Sequence, residues 1–71
     1  MAENIVVRFS NHIRDLRERR GLTQQELSEL ADIEYKHIQR LESRVPCDVK
    51  LTTLEKLAKA FKIPLPKLLD F

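Results

Sequence analysis

A disulfide framework, a metal cage and a phosphate-binding loop all need residues that this chain of 71 scarcely has. Cys47 is its single cysteine, so no internal bridge can close. With only His12 and His37 beside it, a four-ligand metal site would have to recruit carboxylates at unrelated spacings. The thiol is read as a structural or surface group, with no metal expected. No Gly-rich loop is present to cradle a phosphate, since Gly21 is the one glycine. No Ser/His/Asp set or carboxylate pair has a spacing that singles it out, so neither catalysis nor a cofactor is expected. One glycine and three prolines are too few for a disordered chain. There is no run of about 18 apolar residues, which excludes a membrane-spanning helix. Nor is there a basic, hydrophobic, small-residue leader, and the expected location is the cytoplasm.

What remains, 42% apolar and 34% charged, describes one globular domain over residues 1–71. A chain of this size buries only about 60% of its unfolded surface, so its core is thin and self-association is an option. The net charge of +2 is unevenly spread. Residues 8–20 are basic, with Arg8, Arg14, Arg17, Arg19 and Arg20 against Asp15 and Glu18. Residues 21–34 are acidic through Glu26, Glu29, Asp32 and Glu34, and residues 35–50 turn basic again. Such a distribution excludes a uniform polyanion-binding surface and leaves two basic edges separated by an acidic helix.

Apolar spacing predicts helices throughout and no strand. Ile5, Phe9, Ile13 and Leu16 recur at four, four and three residues, the stripe of an amphipathic helix over about 5–20 that Gly21 ends as a left-handed cap. Thr23 and Glu26 form a capping box, with Leu22 and Leu27 as its hydrophobic staple, so a second helix starts at Gln24. Leu27, Leu30 and Ala31 give its apolar side. Only the turn Asp32-Ile33-Glu34 separates it from a third segment, and Ile33 is expected to plug the core. Between Tyr35 and Val45, at about 100 degrees per residue, Ile38, Leu41 and Val45 fall on one side and Lys36, Gln39, Arg40 and Ser43 on the other. Thr52 and Glu55 repeat the capping-box pattern ahead of Leu54, Leu57, Ala58 and Phe61, predicting a fourth helix over about 53–61. Pro64 and Pro66 suit the entry of a last short helix carrying Leu65, Leu68 and Leu69.

Two short helices across a three-residue turn, the second with cations and amides outward, have the helix-turn-helix layout in which the second helix enters the DNA major groove. The run FSNHIRDLRERRGLTQQELSELADIEYKHIQRLE, followed by LTTLEKLAKAF and LPKLL, resembles the lambda-repressor-like, Cro-type helix-turn-helix family from about Phe9 to Leu69. The resemblance implies a compact all-α, five-helix DNA-binding domain with its helix-turn-helix at about 23–43. Ser28 stands where the family has alanine and Asp32 where it has glycine, a substitution aspartate tolerates because it reaches the left-handed region more readily than most residues. The loop 43–50 is about one residue longer than the common form.

Carried over position by position, the resemblance implies that Tyr35, Lys36 and Arg40 read base edges with Gln39 beside them. Gln24 and Gln25 at the start of the second helix, and Ser43 and Arg44 at the end of the third, would touch phosphates. The chemistry agrees: arginine or lysine pairs with guanine O6 and N7, glutamine with adenine N6 and N7, and a helix start favours a phosphate. Tyr35 has the alternative of a half-buried core ring. His37 lies between the two faces, as a phosphate contact or a plain surface histidine. The resemblance also implies an Arg17–Glu42 ion pair tying the first helix to the end of the third.

The expected function is that of a small repressor or controller-type regulator bound as a homodimer to double-stranded DNA. Its dimer patch is Leu65, Leu68, Leu69 and Phe71, because with Ile63 they crowd more apolar surface into nine residues than a short helix can bury. The alternatives are a monomer core closed by Leu65 and Leu68 with Phe71 frayed, and a protein-interaction module, such as an antitoxin, that binds a protein partner.

Overall fold

The computed structural model describes residues 4–43, 46 and 48–71, and the expectations for Arg44, Val45 and Cys47 lie outside them. Among the described residues five α-helices and no strand form: α1 (Ile5–Arg19), α2 (Gln24–Ala31), α3 (Tyr35–Leu41), α4 (Leu51–Phe61) and α5 (Leu65–Leu68). None is long and apolar enough to cross a membrane.

Side-chain caps start two of the five helices, and left-handed residues end several of them. Asn4 caps α1 by accepting from the Val6 N–H at 2.8 Å. The helix ends at Gly21, whose φ of 66° suits a residue without Cβ; Leu22 N–H then reaches the Arg17 carbonyl and Gly21 N–H the Glu18 carbonyl. Both halves of the capping box at α2 form, Glu26 N–H to Thr23 Oγ1 at 3.0 Å and Thr23 N–H to Glu26 Oε1 at 2.9 Å. Asp32 takes the left-handed conformation, φ 56°, and so turns the chain within three residues into α3. Ile33 is buried in the turn, as expected.

The core lies where all five helices meet. Phe9 and Ile13 of α1, Leu27 and Ala31 of α2, Ile38 and Leu41 of α3, Leu57, Ala58 and Phe61 of α4, and Leu68 of α5 are buried together with Ile33. Leu16, Leu22 and Leu54 pack on their edge. Arg20 pins the end of α1 to the end of α4, donating to the Phe61 carbonyl at 2.9 Å with its guanidinium 5.1 Å from the Phe61 ring.

Four local expectations are corrected. Ile5 is exposed, since it is the first residue of α1 and among the described residues only its flank is covered. Leu30 is exposed as well, because α2 turns Leu27, Ser28 and Ala31 inward. The small Ser28 takes the buried place and donates its hydroxyl to the Gln25 carbonyl at 2.6 Å. The second capping box does not form: α4 begins at Leu51 with Lys50 as its cap residue and no side-chain cap bond. That start puts Thr53 inward, buried beside Ser28 and Ile33, so packing against α2 overrides the Thr52/Glu55 pattern. Finally, α3 ends at Leu41, earlier than the apolar stripe toward Val45 suggests.

Candidate nucleic-acid interface

Glu42, the cap residue at the end of α3, is the point where three helices are fastened. Arg17 of α1 grips its carboxylate with two bonds, Nε to Oε2 at 2.8 Å and Nη2 to Oε1 at 3.0 Å. The third guanidinium nitrogen, Nη1, donates to the Leu22 carbonyl at 2.7 Å. Gln24 of α2 adds a bond from Nε2 to Glu42 Oε1 at 3.1 Å. The side chain of Glu42 is 1% exposed and that of Arg17 13%, so this pair is buried. The bond to Glu42 raises the Arg17 pKa, reinforced by the carboxylate's field and opposed by burial.

The fastening holds α3 with Ile38 and Leu41 inward. Lys36, Gln39, Arg40 and Ser43 face outward and are exposed, on the face their spacing predicts. Tyr35, at the start of α3, is exposed and not a core ring. His37 is half-buried on the flank, lining a crevice with Glu29, Asp32 and Lys56. Ser43 turns its hydroxyl back to the Arg40 carbonyl at 2.8 Å, a bond it would give up to donate to a phosphate. The half-buried Gln24 has one amide hydrogen on Glu42, while the N–H groups of Gln24 and Gln25 in the first turn of α2 have no intrahelical acceptor. The face therefore offers cations, amide groups and helix N–H groups side by side, which suits a polyanion whose base edges are read. Among the described residues no group of three His, Cys, Asp or Glu gathers to hold a metal ion.

Two contacts here were missed in the sequence. The Gln24–Glu42 bond had no signal beyond proximity of helix ends. Arg14, which donates through Nη2 to the Glu42 carbonyl, lies three residues before Arg17 and hence on the same side of α1, a spacing that could have found it.

The C-terminal patch divides. Leu68 is fully buried in the monomer core and cannot serve a dimer, because α5 is a single turn that aims it beneath itself. Phe71 does not fray. Its ring lies 5.8 Å from Phe9 and stacks on His12 at 5.3 Å, Arg8 sits 5.3 Å above it, and Arg8 Nη2 donates to its carbonyl at 2.9 Å. Leu65 and Leu69 remain exposed. Leu69 shares an apolar groove with Ile5, and Leu65 shares another with Leu51, which is 78% exposed; neither Ile5 nor Leu51 had been assigned to the patch.

Compared with known proteins, residues 13–68 match the model of a helix-turn-helix family. Among solved structures the chain is similar to the restriction-modification controller protein C.AhdI from Aeromonas hydrophila. The two are 32% identical with a TM-score of 0.82, over 89% of this chain and 94% of that one. No curated protein matches.

Proposed function

The chain belongs to the lambda-repressor-like, Cro-type helix-turn-helix family, and from that membership we propose a sequence-specific regulator of the controller type. DNA binding and transcription regulation are the work of this family, which is not enzymatic. In this reading two copies occupy a pseudo-palindromic operator, each inserting α3 into the major groove about 34 Å from the other. Lys36, Gln39 and Arg40 read base edges, and Tyr35 packs on a thymine methyl or bonds a phosphate. Gln24, Gln25, His37 and Ser43 approach the backbone.

The observation that carries the proposal is the outward row Lys36, Gln39, Arg40 and Ser43 on a helix whose end is locked by a buried ion pair. Among the described residues only Ser43 of this row spends its side chain on a neighbour, the Arg40 carbonyl, and Lys36, Gln39 and Arg40 leave theirs to solvent, which suits a partner of regular charge. The controller reading draws on the likeness to C.AhdI over nearly the whole of both chains. Dimerisation is supported by the exposed Leu65 and Leu69 and by the few base pairs a single α3 can read.

The test is a gel-shift titration on duplex DNA between about 50 and 200 mM salt. A protein neutralising about six phosphates loses on the order of a thousandfold in affinity over that interval. Absence of binding at the lower salt would exclude the reading and favour a protein-interaction module.

A further inference from the structure

Glu42 has more cationic groups around it than its charge requires. Both carboxylate oxygens already accept, Oε2 from Arg17 at 2.8 Å and Oε1 from Arg17 and Gln24 at 3.0 and 3.1 Å. Arg14 Nε stands 3.9 Å from Oε1, beyond hydrogen-bond distance, and its guanidinium instead donates through Nη2 to the Glu42 backbone carbonyl. The Arg14 side chain is 42% exposed where Glu42 is 1% exposed. Among the described residues its Nη1 and Nε have no hydrogen-bond partner. Of the side chains that meet at this corner, Arg14, Arg17, Gln24 and Glu42, one positive charge is therefore in excess, and it is the charge nearest to solvent.

The place of that charge matters. The carbonyl that Arg14 grips belongs to the residue directly before Ser43, at the end of the reading helix. Carbonyls in the last turn of a helix have no intrahelical partner, so the grip completes the end of α3 and fixes the guanidinium beside the outward row. An arginine held by one nitrogen still presents planar N–H donors to a phosphodiester, and it loses less freedom on binding than a side chain loose in water.

We propose that Arg14 is a DNA-backbone contact of this protein, binding one phosphate while its bond to the Glu42 carbonyl ties that phosphate to the end of α3. The proposal rests on the DNA-binding reading above. It separates the two cations of α1: Arg17 holds α3 from within, and Arg14 holds α3 to its ligand from without.

Arg14→Gln and Arg14→Lys divide the charge from the bond to the carbonyl, because glutamine keeps a donor without charge and lysine keeps the charge without the fork. On non-specific duplex, Arg14→Gln is expected to lower the slope of log affinity against log salt by about one, and Arg14→Lys to leave it as in wild type. The second arm needs no change in the protein's fold: single phosphates of the duplex are replaced by neutral methylphosphonates. One replacement weakens wild type and leaves Arg14→Gln unaffected. Equal slopes for wild type and Arg14→Gln, or equal responses at every neutralised phosphate, overturn the proposal while leaving DNA binding standing. A wild type that binds no duplex overturns both.

Discussion

Arg17 and Glu42, 25 residues apart in sequence, meet in a two-bond ion pair that buries the carboxylate and leaves the arginine 13% exposed. Removing one partner of such a pair strands the other charge in a place water reaches poorly, so the loss exceeds the worth of the pair itself. Arg17→Ala is expected to destabilise the domain by roughly 3 kcal/mol, with Arg14 and Gln24 unable to replace the second bond. Urea unfolding would check it. A change below about 1 kcal/mol, the range of an exposed pair, would show that the pair does not fix the end of α3.

Lys62 ends α4 in the left-handed region, φ 57°, where a Cβ meets the following carbonyl. What offsets that strain locally is the bonding of the turn, Lys62 N–H to the Ala58 and Lys59 carbonyls and Ile63 N–H to Ala58. Lys62→Gly should therefore stabilise by about 0.5 to 1 kcal/mol, raising Tm by roughly 4 °C. Asp32→Gly, at φ 56°, should gain less, since aspartate tolerates this region better than lysine. Thermal melts in which Asp32→Gly gained more would reverse the argument.

Leu69 and Leu68 are neighbours in sequence with opposite surroundings, and that contrast tests the dimer. Leu69→Asp is expected to leave the fold intact and yield a monomer in sedimentation equilibrium, as is Ile5→Asp on the same groove. Leu68→Asp should instead unfold the chain, because it puts a charge at a fully buried position. A dimer indifferent to both Leu69→Asp and Ile5→Asp would place the interface elsewhere.

How legible these features were in the sequence follows from which forces set them. The capping box at Thr23 and Glu26 and the stop at Gly21 are decided by a few adjacent residues and were readable, while the left-handed Asp32 was implied by the family resemblance, which has glycine there. Thr52 and Glu55 carry the same pattern and fail, because the burial of Thr53 is a long-range term that no local signal records. Leu30 loses its expected place on the apolar side of α2 for the same reason: helix contacts favour the small Ser28 between α2 and its neighbours. At the candidate site, the outward row of α3 was legible from periodicity, and the Arg17–Glu42 pair came from family resemblance and not from spacing. The Gln24–Glu42 bond was not legible, since it depends on how three helix ends meet, and the Arg14 bond had only the spacing of Arg14 from Arg17 to point to it.

The central claim is that the outward face of α3 reads base edges, and Arg40 is its most direct probe. A site selected from a random duplex pool and a scrambled duplex of equal length are titrated with wild type and Arg40→Ala at one salt concentration. Arg40→Ala should lose about 1 to 3 kcal/mol on the selected site and almost nothing on the scrambled one. An Arg40→Ala protein that kept the full preference for the selected site, or that weakened on both duplexes alike, would contradict the assignment of α3 as the reading helix face.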